Sequence, residues 1–235
     1  MRGVVARKKT QYVAVLTADI VRSTSYSQRE RRQIDRILLK SFNEVTRRYL
    51  RAVHTRLAFR ITAGDEFQCV FSEIPKTFEI LTYLRALVAT SGVTPIITFR
   101  ASIGIGEISV AGRPSPYEED GEAFVRSRNG LEQLGRGRHN HWTRIVTGQP
   151  ELDATAETVL VLLDHFQQGW TVPQWEAVKW SLLGLTREEI AKKLKVAHQN
   201  VTKRLSAAGW QSFKVGAEYL TSLLSEASKP QKGCN

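Results

Sequence analysis

Two carboxylates and a run of hydroxyls at the first strand-to-helix junction are the side chains of the N-terminal half best suited to chemistry. Asp19 closes the run QYVAVLTADI (Gln11 to Ile20), and Asp65 sits in the connection Ala-Gly-Asp-Glu between two β-rich runs, Arg56 to Thr62 and Phe67 to Phe71. In a βαββ sheet these positions put both carboxylates at neighbouring strand edges, where oxygen donors can hold Mg²⁺ or Mn²⁺. Ser23, Thr24 and Ser25 follow in the turn into a helix whose free amides could receive a triphosphate. Paired carboxylates beside a phosphate cradle suit two-metal phosphoryl chemistry; the same residues also suit the plainer role of capping a turn or helix. Glu66, Glu107 and Asp120 could join the cluster or stand as solvated charges.

A second set lies in LTREEIAKKLKVAHQNVTKRL, Leu185 to Leu205. Thr186 and Glu189 have the offset of a capping box, which starts a short helix there. Ile190, Ala191 and Leu194 give that helix an inward face, Val196 plugs a turn, and Val201 and Leu205 face inward from a following helix. His198, Gln199, Asn200, Thr202, Lys203 and Arg204 remain outward, a set able to bond base edges and neutralise phosphates in the major groove of double-stranded DNA. An ordinary helical hairpin with a basic solvated face is the alternative. Lys195 stands at the turn position where glycine is common. The histidines have no zinc spacing, and His139 and His141 lie in a basic loop, GRGRHNHW.

The elements that must position these groups follow from hydrophobic periodicity. A buried strand over Gln11 to Ile20 leads to an amphipathic helix from Gln28 to about His54. The two β-rich runs come next, then a helix over Ile74 to Thr90 and a strand over Ile96 to Val110 with two glycines. A loop with Gly112, Pro114 and Pro116 precedes a helix from Glu118 to Leu134, and Trp142 to Val146 is a last strand. The order βαββαβ predicts an α+β fold, a ferredoxin-like or palm-like antiparallel sheet with helices on one face, over residues 1–148. Residues 149–169 read as a connecting or dimerising helix, and 170–235 as an all-α helix-turn-helix domain whose last residues, SEASKPQKGCN, fray.

Composition agrees with a nucleic-acid partner. The 235 residues carry 34 Lys and Arg against 23 Asp and Glu, a net charge of +11, and 42% are hydrophobic, enough for real cores. Two cysteines, Cys69 and Cys234, form no metal motif, and no window has the apolar length of a membrane span. These features point to a soluble protein of a reducing cytoplasm.

Several segments resemble known families. ADIVRST resembles the first metal-binding segment of class III nucleotide cyclases, ITAGDEF resembles their second or the GGDEF hairpin of diguanylate cyclases, and ASIGIGEISV resembles the strand that follows. The whole order, with DGEAFVRSRNGLEQL and the C-terminal pattern, resembles the SatD family. The segment from about Gln174 to Leu205 is similar to region four of sigma factors and to LuxR-type regulators, which implies DNA binding. The cyclase resemblance implies a nucleotide with Mg or Mn held at Asp19 and Asp65, and puts Arg128 at the position of the transition-state arginine. It also shows departures: Phe124 stands where the cyclases have Asn, Ile61 where they have the base-selecting Lys, and Ala63 replaces the first glycine of the GGDEF turn. The sequence thus points first to a DNA-binding regulator with a nucleotide- or metal-sensing cyclase-like domain, and second to a metal-dependent nucleotidyl cyclase or nucleotidyltransferase. Homodimerisation is expected of both.

Overall fold

The computed structural model describes residues 9–50, 55–63, 65–93, 96–110, 121–136 and 141–228. His54, Gly64 of the hairpin turn, the loop around Gly112 to Pro116, Asp120, His139 and the tail after Ser228 lie outside the described residues.

Five strands form one sheet in the order β2-β3-β1-β4-β5: β1 is Lys9–Ile20, β2 Thr55–Ala63, β3 Glu66–Phe71, β4 Phe99–Val110 and β5 Thr143–Val146. β1 lies between β3 and β4 and is antiparallel to both, and β2 is antiparallel to β3. With α1 (Gln28–Val45) between β1 and β2 and α2 (Thr77–Ala89) between β3 and β4, this is the split βαβ arrangement of a ferredoxin-like fold. Alternation along β1 sends Ala14, Leu16, Ala18 and Ile20 to the face shared with Phe67, Phe71, Phe99 and Ile103, where Ile34, Leu38 and Phe42 of α1 and Ile80, Leu81 and Leu84 of α2 close the core. Each fully buried side chain of this size contributes about 1.5–3 kcal/mol.

Helices cover both faces of the sheet, whereas the sequence pattern suggested one. β5 runs parallel to β4, a pairing that needs a crossover, and α3 (Glu122–Arg136) supplies it on the opposite face. There Ala123 and Phe124 pack on Val13, Val15, Val70 and Ile108. The two glycines of β4 explain how close α3 comes: a Cβ on Gly104 would lie 2.2 Å from the Ala123 carbonyl oxygen and 2.3 Å from the Ser127 nitrogen. α1 is also shorter than its hydrophobic pattern suggested. It stops at Val45 and passes into a wider turn over Thr46–Leu50, where Arg47 and Arg48 both bond the Glu44 carboxylate.

The remaining chain is helical: α4 (Pro150–Gly169), α5 (Val172–Leu182), α6 (Arg187–Leu194), α7 (His198–Ala207) and α8 (Trp210–Ala227). These helices share the α1/α2-side core. Ala156, Leu160 and Leu163 of α4 are buried in it, Phe78 of α2 stacks on Phe213 of α8 with ring centroids 6.3 Å apart, and Trp170 sits 4.5 Å from Trp175 and 4.9 Å from Phe213. The Trp170 indole N–H donates to the Ala208 carbonyl at 2.7 Å. Beneath them Arg85 of α2 pairs with Asp164 of α4 at 3.5 Å, both almost wholly buried. Among the described residues no helix is long and apolar enough to cross a membrane.

Candidate functional site

The loop after β1 is built tightly from local bonds. Arg22 takes the left-handed conformation (φ 59°), the turn Ser23–Ser25 follows, and the Ser25 hydroxyl donates to the Arg22 carbonyl at 2.7 Å. Ser27 caps α1, its hydroxyl accepting from the Glu30 amide while the Glu30 carboxylate accepts from the Ser27 amide. The Ser27 hydroxyl and amide hold the Glu30 carboxyl below its usual range. A cleft of about 220 Å³ opens beside this turn, lined by Ser23, Thr24, Tyr26, Arg31, Asp35 and Asp65. The structure thus brings Ser23, Thr24 and Asp65 together, and Ser25 faces its own turn.

Asp19 does not line that cleft. It lies across β1 and β4 from Arg100, whose guanidinium grips both carboxylate oxygens, Nε to Oδ1 at 3.1 Å and Nη2 to Oδ2 at 2.5 Å. Ile20, the next residue, points into the α1-side core and the cleft, so strand alternation directs Asp19 to the α3 side. The guanidinium takes both Asp19 carboxylate oxygens, and among the described residues no group of three or more His, Cys, Asp or Glu side chains is arranged to hold a metal. Asp65 lines the cleft and Asp19 is engaged by Arg100, so a cation shared by the two carboxylates would have to compete with that guanidinium.

The residues aligned with cyclase catalysis are also engaged. Arg128 is half exposed on α3 and pairs with Glu66 at 3.7 Å. Phe124, at the position of the missing asparagine, is 7% exposed and packs into the core between α3 and the sheet. An apolar ring there supplies packing and no hydrogen bond.

The second candidate surface is α7. Thr186 and Glu189 form the capping box of α6, the Glu189 amide donating to the Thr186 hydroxyl at 3.3 Å and the Thr186 amide to Glu189 Oε2 at 2.8 Å. Ile190, Ala191, Val201 and Leu205 are buried. Between the helices Lys195 adopts the left-handed conformation (φ 54°, ψ 43°) and ends α6. His198, Gln199, Asn200 and Lys203 are exposed and Thr202 is half-buried. Two members of the set lie against carboxylates: Arg204 bonds Glu176 of α5 at 3.0 Å, holding α7 against α5, and His198 Nε2 lies 3.1 Å from the Glu188 carboxylate.

Sequence reasoning missed Asp35, Arg31 and Tyr26, which line the first cleft, and Arg100, which neutralises Asp19. Asp35 lies one helical turn after Arg31 on α1, a spacing that signals one face. Arg100 needed the strand register.

Comparison with known proteins gives a family and distant fold relatives. The model of the SatD family matches residues 12–220. No curated protein matches the sequence. Among solved structures the chain is similar to the active GGEEF domain of a diguanylate cyclase from Vibrio cholerae (16% identity, TM-score 0.40, covering 57% of this chain and 83% of that one). It is also similar to two structures of a bacterial light-regulated adenylyl cyclase. One has 9% identity and TM-score 0.42, covering 60% of this chain and 44% of that one; the other has 12% identity and TM-score 0.42, covering 62% and 81%. Nothing about activity follows from likenesses so distant.

Proposed function

We propose that this chain, which belongs to the SatD family, is a DNA-binding regulator in which the sheet domain, residues 1–148, is a ligand-sensing module and residues 170–235 read DNA through α7. The observation that carries the reading is the exposed row His198, Gln199, Asn200 and Lys203 at the start of a short helix that is anchored by Arg204 to Glu176 and preceded by a capped helix, α6, and a tight turn at Lys195. Asn and Gln amides can pair with adenine edges, and Lys203 can take a phosphate. The net charge of +11 favours the same partner. Arg204 contributes mainly by fixing the helix. Two copies would present two such helices to a two-fold operator.

The first ligand site is the 220 Å³ cleft at Ser23, Thr24 and Asp65, which is small for a complete nucleoside triphosphate, since ligand clefts commonly span about 300–1,000 Å³. A nucleotidyl cyclase or nucleotidyltransferase gains nothing from Phe124 in the core or from Arg100 on Asp19.

The test is footprinting of the full chain on DNA from its own genome across a salt series. Protected sites should appear, their affinity falling steeply with salt. Lys203→Ala should lower the log-log salt slope by about 0.9, one phosphate contact. Asn200→Ala should cost specific sites roughly 1–3 kcal/mol and leave non-specific binding unchanged. Unchanged specific binding in both variants would remove α7 as the reading element.

A further inference from the structure

A different cleft, of about 460 Å³, opens where α1 and α2 meet α5. Arg36 and Lys40 of α1 and Lys179 of α5 bring three cations to its wall, beside the side chains of Gln33, Thr90 and Ser91. It shares no lining residue with the Ser23–Asp65 cleft and includes nothing from α7.

Lys179 is the informative residue. Its ammonium donates to the Thr90 hydroxyl at 2.9 Å and lies 5.3 Å from the Trp180 ring, and among the described residues it has no carboxylate partner. Burial pushes its pKa down, against the opposing fields of Glu176 and Glu44. Among the described residues Glu44 is the one carboxylate lining the cleft, and Arg47 and Arg48 already hold it. Arg36 donates to the Arg32 carbonyl at 3.2 Å and is likewise unmatched by an acid. Holding an ammonium partly out of water without a contacting carboxylate is unfavourable, and an entering anion offsets that cost.

We propose that this junction cleft binds a phosphorylated small molecule. Three cations and the Thr90 and Ser91 hydroxyls along one cleft call for a ligand with more than one negative charge and several acceptor oxygens, as a phosphate group has. Ile37 and Leu87 give the cleft an apolar wall for the ligand's uncharged body, and the volume falls within the usual range for such ligands. The site also touches the helices that carry α7: Trp180, next to Lys179, has the Lys193 ammonium of α6 4.8 Å from its ring. Occupancy would tie α1 to α5 and bear on α6. The inference is independent of whether α7 reads DNA.

Calorimetry and Trp fluorescence on the full chain, with pyrophosphate, AMP and uncharged adenosine as probes, test it directly. Pyrophosphate or AMP should bind and adenosine should not. Lys179→Met keeps the aliphatic stem and should weaken binding about tenfold or more; the surface variant Lys40→Ala should weaken it less, and Lys76→Ala, far from the cleft, not at all. If Lys179→Met lowers the melting temperature, Lys40→Ala carries the test alone. Failure of both phosphorylated probes to bind at millimolar concentration, or binding unaffected by Lys179→Met and Lys40→Ala, overturns the proposal. A loss of DNA affinity in these variants without any phosphate-ligand binding overturns it too, because the cleft would then follow a nucleic-acid backbone.

Discussion

Replacing Arg85 by Met separates the contribution of the buried ion pair from that of simple packing. Arg85 is 4% exposed and Asp164 1% exposed, and their side chains join α2 to α4 beneath β5. The guanidinium also donates to the Thr143 hydroxyl at 2.7 Å and the Trp142 carbonyl at 2.8 Å. Asp164 accepts from the Trp142 and Thr143 amides and from the Thr143 hydroxyl, each at 2.7 Å. Burial is the largest influence on both groups: it pushes the arginine down to about 10 and raises the Asp164 carboxyl above its ordinary range, even with the partner's charge opposing each shift. Removing Arg85 strips Asp164 of its countercharge, and breaking a buried pair from one side costs about 3–5 kcal/mol. The three remaining donors place the expected loss near the lower end, about 3 kcal/mol. At roughly 2–4 °C per kcal/mol for a chain of this size, Tm should fall by about 6–12 °C. The loss should also depend on pH. Asp164 has a raised folded pKa, so the folded state binds the proton more tightly than the unfolded chain, and stability rises as pH falls from the folded pKa towards the ordinary carboxylate value. Without Arg85 the folded pKa climbs further, and the deficit of the variant should shrink on acidification. Urea denaturation of both proteins at neutral and mildly acidic pH measures this. A loss below about 1 kcal/mol at neutral pH, or one that does not change with pH, would refute the assignment of this pair as a charged, dry contact.

Other expectations are local. Gly104→Ala forces a methyl group to within 2.2 Å of the Ala123 carbonyl and must displace α3; thermal denaturation should show a loss of about 1–3 kcal/mol. Lys195→Gly relieves a left-handed residue at φ 54°, worth about 1–2 kcal/mol, against the 0.5–1 kcal/mol that glycine's unfolded-state freedom takes back. A net gain of about 0.5–1 kcal/mol is expected from denaturant titration. Thr186→Ala removes the hydroxyl that caps α6 and should cost about 1 kcal/mol by the same measurement.

Much of the framework could be read from local pattern. The apolar run QYVAVLTADI specified a buried strand, the hairpin around Asp65 paired its runs as expected, and the Thr186–Glu189 box marked the start of α6. Each depends on residues a few positions apart. The features that were not legible depend on contacts distant in sequence. Asp19 looked like a free metal ligand until register placed Arg100 opposite it. Arg85 drew no notice in the helix over Ile74 to Thr90, although it is buried with Asp164 as its partner. The second covered face was indicated only by the two glycines of β4, whose significance depends on which helix approaches them. Asp35, between Ile34 and Arg36, was not singled out, because nothing in its own neighbourhood announces the cleft that the turn after β1 completes.

The packing of the C-terminal helices bears on how a signal could reach α7. A DNA-reading unit tethered by a flexible linker would take up any orientation, and ligand binding elsewhere in the chain could influence it only weakly. Here direct contacts join the helices to the sheet: Asp164 of α4 pairs with Arg85, Phe213 of α8 stacks on Phe78, and the Trp170 indole ties the start of α5 to the end of α7. α5 in turn holds α7 through Glu176 and Arg204. One helix therefore has both the cleft lysine, Lys179, and the anchor of the proposed reading helix, Glu176, nearly one turn apart. If α7 reads DNA as proposed, a ligand at Lys179 that favoured one setting of α5 over another would alter DNA affinity by the same factor as its own affinity differs between them.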